Sequence, residues 1–383
     1  MLFDRLKINQ VARETKLSQR DSPIDGFLFM TTYVFAVAIY GKPSLEQMTA
    51  LLNSALKRVD VSRQAIDKRI NEHAVEFFRD MLSQSIRLQH PQPFSLELLS
   101  AFNHIYLADS TGIELPAHLV KYFQGAGGNA SKSALKIQFC YDLKTSQFSH
   151  IITEGRKNDT HYDNSFVTEM APGDLRISDL GYSSSKVFVE IAEVKNAYYL
   201  SRLKSDLPLY QKNEEGEYTR FDLISFLKKS SFDLLEIEVY LKSGQTYSLT
   251  RLVIEPVPEE VTKQRLTRLA EQARKKGTQT KKETKSLQAF NLHISNVPSE
   301  FLDAKHFKIL YSLRWQVELI FKSWKSNLNL DEIPDARYER VMCDLYAKLF
   351  FIFLTHKIHL YLNMGETRGC FMTFQNQKKR VCN

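Results

Sequence analysis

Cysteine is scarce in this chain, with four in 383 residues: Cys140, Cys343, Cys370 and Cys382. Their spacing fits neither a metal-ligand pattern nor a disulfide framework, so they read as buried or free thiols in a reducing compartment. Long hydrophobic runs are missing too. The nearest, residues 27–40 (FLFMTTYVFAVAIY), is too short to span a bilayer and reads as a buried helix. No apolar leader opens the chain, because Asp4, Arg5 and Lys7 lead into a polar run. These absences point to a cytoplasmic protein with no membrane attachment. The glycine-rich stretch 125–128 lacks the lysine and the spacing of a phosphate loop, which leaves no nucleotide site to assign.

What remains is ordinary for a globular chain with more than one core: 43% hydrophobic and 25% charged residues. The net charge of +8 calls for a polyanionic partner. That charge is concentrated. Residues 263–285 hold nine Lys or Arg and two Glu, or 9 − 2 = +7. The early part of this run reads as a helix with Leu266, Leu269 and Ala273 inward, and the part from Gly277 as a loose segment. It is either a solvated tether or a sequence-independent phosphate contact, and the basic balance favours the second.

One stretch organises the rest. Residues 306–327 (HFKILYSLRWQVELIFKSWKSN) contain no Gly or Pro and read as one long helix. With Tyr311 at zero and about 100° per residue, Arg314 falls near ~300°, Glu318 near ~340° and Lys325 near ~320°. The four share an arc of roughly 60°. Leu310, Leu313, Val317, Ile320, Phe321 and Trp324 fill the neighbouring arc and form the buried face. A carboxylate, two cations and a phenol therefore lie on a narrow strip beside a packed stripe. Trp315 reads as core packing, although it could stack on an unpaired base.

The spacing Tyr311-x-x-Arg314-x-x-x-Glu318-x-x-x-x-x-x-Lys325 resembles the Y-R-E-K signature of the DDE transposases of bacterial insertion sequences, insertion-sequence-four type. The resemblance covers roughly residues 17–362. It implies an α/β fold: a ribonuclease H-like catalytic core with an inserted β module and an N-terminal helical DNA-binding region. It also implies that Glu318 is the third metal-binding carboxylate and that Tyr311, Arg314 and Lys325 contact DNA phosphates near the cleaved end.

Taken in order, residues 1–95 read as helical. Ser62 caps a helix 63–82 that follows the helix after Ser44 across a short turn. This is a helix-turn-helix, with Arg63, Lys68 and Arg69 facing DNA, or a plain helical hairpin; the family resemblance favours the first. Pro91 and Pro93 mark a boundary. The core's first part, 96–206, opens with a strand that delivers Asp109 at or near its end. A hairpin follows (134–142 and 147–155), then a short strand ending at Asp179, a helix from Lys186 to about Lys195, and a strand from Tyr198. Asp179 thus lies at the carboxyl end of a strand and before a helix, where open α/β sheets collect functional groups. Residues 207–288 form the inserted β module and basic segment. The core's second part, 289–362, carries the signature helix and a final apolar helix read as packing on the sheet. A tail, 363–383, closes the chain.

Carrying the family triad over by position gives Asp109, Asp179 and Glu318. Asp142, Asp159, Asp163 and Asp174 compete, but lie on turns or polar segments and read as capping residues. The resemblance further implies two Mg²⁺ ions (Mn²⁺ able to substitute), double-stranded DNA as partner (terminal inverted repeats and target), and a homodimer in a synaptic complex. Family members continue beyond this point with more helical sequence. The competing reading is therefore a catalytically silent, shortened protein that only occupies transposon ends. A third is a nuclease on the same core that does not join strands.

Overall fold

The computed structural model describes residues 4–20, 22–55, 60–87, 99–127, 131–157, 163–228 and 232–363. The boundary read at 90–93, Asp159, Cys370, Cys382 and the tail beyond residue 363 lie outside them.

Five helices come first: α1 (Arg5–Glu14), α2 (Gly26–Tyr40), α3 (Leu45–Ala55), α4 (Arg63–Arg69) and α5 (Glu72–Arg87). Side chains start several of them in the expected way. Asp4 accepts from Leu6 N and Lys7 N, Asp25 from Leu28 N, and Ser62 from Ala65 N. The apolar stretch 27–40 is the buried helix α2, with Phe29, Met30, Tyr33, Val34, Ala36 and Val37 inside. No helix among the described residues is long and apolar enough to cross a membrane. The helix expected over 63–82 is two helices. Ile70 leaves helical geometry at φ −80° and ψ 83°, and the Asn71 side chain accepts from Ala74 N to start α5. An Asx cap inside an otherwise helical pattern wins because Ile70 is buried at the corner.

Alternating apolar residues build the sheet. β1 (Ile105–Leu115), β2 (Ser133–Asp142) and β3 (Gln147–Glu154) form an antiparallel meander. α6 (Asp163–Thr168) leads to β4 (Leu175–Ser178), and α7 (Ser185–Val189), continued by one wider turn at Glu190–Val194, leads to β5 (Tyr198–Arg202). Both β4 and β5 run parallel to β1. β6 (Tyr210–Lys212), β7 (Tyr218–Arg220), α8 (Leu223–Leu227), β8 (Leu235–Ser243) and β9 (Thr246–Pro256) follow; β8 and β9 turn on Gly244, whose φ of 58° suits a residue without a side chain. α9 (Glu259–Lys276) and α10 (Lys282–Ser286) carry the basic run. Then come β10 (Phe290–Ser295), α11 (Phe307–Ser312), α12 (Trp315–Leu328) and α13 (Tyr338–Asn363).

Among the described residues the strands make one ten-stranded sheet, ordered β3-β2-β1-β4-β5-β10-β9-β8-β6-β7. The β3-β2-β1-β4-β5 half is the strand, hairpin, helix, strand, helix, strand succession read from the sequence, and is consistent with a ribonuclease H-like core. The β strands of 210–256 do not stand apart from it. They continue the same sheet, because β10 pairs antiparallel with both β5 and β9.

Two buried clusters cover the two faces. One joins α1–α5 and α11–α13 to β1, β2 and β3; the other joins α6, α7 and α8 to the β8, β9 and β10 region. α13 packs chiefly on α2 and α5, and reaches the sheet through Phe353 and His356 against Phe148. It is thus seated mainly on the N-terminal helices and not, as expected, on the sheet.

One buried histidine adds to the pH sensitivity of the fold. His293 on β10 is 5% exposed, and burial, helped by Arg202, Lys308 and Arg265 and opposed by Glu255, lowers its pKa to about 4. The unfolded imidazole takes a proton near pH 6.5, but the folded one cannot until about pH 4. The contribution of His293 is therefore complete above pH 6.5 and is lost as pH falls toward 4. Urea unfolding at pH 7 and pH 4.5 is expected to show His293→Gln losing roughly 2–3 kcal/mol less than wild type over that interval. Equal losses in both proteins would show that His293 titrates freely.

Candidate active site

Strand register brings the two aspartates to one level. β1 and β4 are parallel, and Ala108 pairs with Ser178 as the last matched pair. The next residue on each side is Asp109 and Asp179. Adjacent strands lie about 4.8 Å apart, so the two carboxylates leave neighbouring backbones at the same height. The sequence reading puts Asp109 at or near a strand end. It is instead the fifth residue of an eleven-residue strand, paired with Phe139 on β2. It behaves as an end residue only toward β4, which stops at Ser178.

The third acid arrives on α12. Val317, Phe321 and Trp324 are buried on this helix, and Leu310 and Leu313 just before it. Trp324 and Phe321 meet Phe139 at 4.9 and 5.5 Å between ring centroids. Burying each such side chain is worth roughly 1.5–3 kcal/mol, which holds α12 against the β1–β2 side of the sheet. The strip beside that face then meets Asp109 through Arg314.

The stretch 306–327 is not one helix. α11 and α12 are joined by a tightened turn in which Leu313 N, Arg314 N and Val317 N donate to Leu310 O, Tyr311 O and Arg314 O. These bonds reach three residues back, the geometry of a 3₁₀ turn. Tyr311, Arg314 and Glu318 still point to one place. Arg314 Nη2 donates to Glu318 Oε1 at 2.6 Å and Nη1 to Asp109 Oδ2 at 3.4 Å, while Nε lies 3.9 Å from Asp179 Oδ1. Tyr311 donates its hydroxyl proton to Asp179 Oδ1 at 3.4 Å. Lys325 Nζ donates to Gly112 O at 3.0 Å, so α12 is tied to β1 at a second point.

Three carboxylates remote in sequence thus surround one guanidinium. Among the described residues, no three acidic, His or Cys side chains are already arranged to hold an ion. The donor set nevertheless suits a hard divalent cation, since all three are carboxylates. Three carboxylates against one guanidinium leave a formal 1 − 3 = −2. Burial pushes the Asp109 carboxyl up to about 6, against the backbone amide of Ser110 and Arg314, with Asp179 and Glu318 adding to the rise. Burial, with Asp179, likewise pushes the Tyr311 phenol up to about 12, so it stays a donor.

Two of the competing aspartates have other tasks. Asp142 accepts from Ile105 N, Lys144 N and Thr145 Oγ1 and pairs with His104, and Asp174 accepts from Ala171 N. Of the N-terminal cations, Arg63 is ion-paired with Glu46, Arg69 donates to Ser22 Oγ, and Lys68 is exposed beside Asp67, whose carboxylate holds Arg337. In the basic run, Leu266, Leu269 and Ala273 are half-buried and Arg265 anchors α9 to Gln288 O, Phe290 O and Asn291. Trp315 corrects its sequence reading. It is 55% exposed at the first turn of α12, beside Arg314, and is no part of the core. Regular 100° steps already put it about 40° beyond Tyr311, outside the arc of the buried face, so its bulk rather than its position suggested the core.

A mixed α/β sheet of this order is consistent with the DDE transposase family, and this protein belongs to that family: the sequence pattern described as a transposase DDE domain matches residues 101–354. Over 375 residues it is 31% identical to the transposase for insertion sequence element IS1151 of Clostridium perfringens, covering 93% of this chain and 78% of that protein. It is 30% identical over 365 residues to the transposase for IS231B of Bacillus thuringiensis subsp. berliner (91% and 76% covered). A more distant similarity, 26% over 327 residues, links it to the transposase for IS421 of Escherichia coli.

Proposed function

We propose that this chain binds the ends of an insertion sequence and carries out Mg²⁺-dependent cleavage and strand transfer there. The observation that carries the reading is the gathering of Asp109, Asp179 and Glu318, from β1, the end of β4 and α12, around one guanidinium. These three carboxylates would hold two Mg²⁺ ions, with Mn²⁺ able to replace them. When bound, such ions lower the pKa of water and offset the negative charge that builds up in phosphoryl transfer.

The other residues bind and orient DNA. Arg314 suits a bidentate hold on a phosphate and Lys325 a point-charge contact. Tyr311, kept protonated, donates a hydrogen bond to the same backbone. Arg63, Lys68 and Arg69 on α4, and the basic face of α9, add phosphate contacts that weaken with salt. Joining two ends calls for two copies of the chain in one synaptic complex, at terminal inverted repeats and then at target DNA.

The test uses the purified chain, a duplex carrying the element's own ends, and Mg²⁺. Nicking at the end, abolished by chelation, and joining of the freed 3′ hydroxyl to a second duplex are the expected results. Retention without nicking leaves only the silent end-binding reading; nicking without joining leaves the nuclease.

Trp315 offers a separate measurement, because the other tryptophan, Trp324, is buried. Stacking on an unpaired base is worth roughly 1–3 kcal/mol. Adding the end duplex is expected to quench tryptophan emission in wild type but not in Trp315→Phe, and Trp315→Ala is expected to weaken end binding by about tenfold. Unchanged emission on binding would remove Trp315 from the interface.

A further inference from the structure

Arg314 is held in an unusual way for a residue whose task is to grip DNA. Its side chain is 13% exposed and touches all three carboxylates, yet only the bond to Glu318 is short. The contact to Asp109 is long, that to Asp179 is an ion pair without a hydrogen bond, and the buried Nε has no hydrogen-bond partner. Strong guanidinium–carboxylate pairs are bidentate, with both bonds near 2.8 Å. Here one fork is shared among three acceptors that no single orientation satisfies. Such an arrangement offsets part of the charge but is readily exchanged.

Those same carboxylates are the ones assigned above to divalent ions, and the inference rests on that assignment. We propose that Arg314 is the triad's own counter-cation, competing with the divalent cation for Asp109, Asp179 and Glu318. A DNA phosphate draws the guanidinium out and so opens the carboxylates to metal. Two events are then coupled through one side chain: phosphate binding by Arg314 and metal binding by the acids. The coupling is reciprocal, so metal must also raise affinity for DNA. Its consequence is a triad that is held together when DNA is absent but becomes a good metal site only against DNA. Tyr311 moves with it, since its ring lies 5.7 Å from the Arg314 guanidinium carbon and its hydroxyl rests on Asp179.

The decisive measurement is Mn²⁺ binding, read by the loss of the free-ion paramagnetic resonance signal, with and without a duplex oligonucleotide. Without DNA, Arg314→Gln is expected to bind Mn²⁺ roughly tenfold more tightly than wild type. Saturating duplex should tighten Mn²⁺ binding by wild type by a similar factor and leave Arg314→Gln nearly unchanged. Arg314→Lys, which keeps the charge but not the fork, should fall between, and decides the matter if the glutamine variant does not fold. Equal or weaker Mn²⁺ binding by these variants without DNA, or an equal gain with DNA in all three proteins, overturns the competition. Glu318→Gln is run beside them: if it leaves Mn²⁺ binding intact, the metal assignment itself falls, whatever Arg314 does. If it weakens Mn²⁺ binding while the Arg314 variants match wild type, only the competition falls.

Discussion

Asp109→Asn is expected to abolish end cleavage while leaving end binding intact, with Asp179→Asn and Glu318→Gln doing the same. The amide keeps the shape of each side chain and removes the charge a hard cation needs. Losing one preorganised electrostatic contributor to a transition state costs roughly 10²–10³-fold in rate. Here each acid stands on a different element, so none can take over for another: Asp109 on β1, Asp179 after β4 and Glu318 on α12. The same variant should be no less stable than wild type. Asp109 is buried beside two like charges, and a neutral amide in its place relieves that repulsion and desolvation. Cleavage rate and thermal midpoint measured on one preparation therefore separate the two roles. Full cleavage by any one variant removes that residue from the triad, and a large fall in midpoint for Asp109→Asn contradicts the electrostatic account.

Much of this site was legible in the sequence because it depends on local patterns. A strand that ends before a helix can be read from Leu175 and Ile177, and Asp179 follows directly. The hairpin of β2 and β3 announces itself by alternation and a turn. Spacing placed Tyr311, Arg314 and Glu318 together, and they converge even though the turn between α11 and α12 is tighter than a regular helix. What could not be read were features set by distant partners. Asp109 lies in mid-strand because β2 continues past it while β4 stops. The strands of 210–256 join the sheet only through β10, which begins at Phe290, well beyond the end of β9 at Pro256. The split at Ile70 also depends on tertiary burial, since the helical pattern runs on through it.

The feature least visible from sequence carries the largest expected effect on stability. Tyr33 on α2 donates to Asp344 on α13, which is 0% exposed and paired with Arg340 Nε at 3.1 Å. Arg340 also donates to Pro43 O, and Lys348 donates to Asn329 O at 2.8 Å and to Glu332 O. Asn329 ends α12 with a left-handed φ of 51°, so this network ties the far end of the Glu318 helix to α13 and the N-terminal helices. Burial lowers the Lys348 pKa to about 8, with Asp344 and Glu332 opposing the fall. Asp344→Ala leaves Arg340 buried without its carboxylate and Lys348 without the nearest opposing charge, and removing one partner of a buried pair costs about 3–5 kcal/mol. Urea unfolding at pH 7 is expected to show a loss on that scale. Replacing the set together by apolar residues of similar volume (Arg340→Met, Asp344→Leu, Lys348→Met) should cost far less than Asp344→Ala alone, because no charge is then stranded. If Asp344→Ala costs under about 1 kcal/mol, the charges are relieved by water and the network does not hold α12. If the triple variant is the worse of the two, the hydrogen bonds from Lys348 to the α12 terminus carry the stability and the ion pair does not.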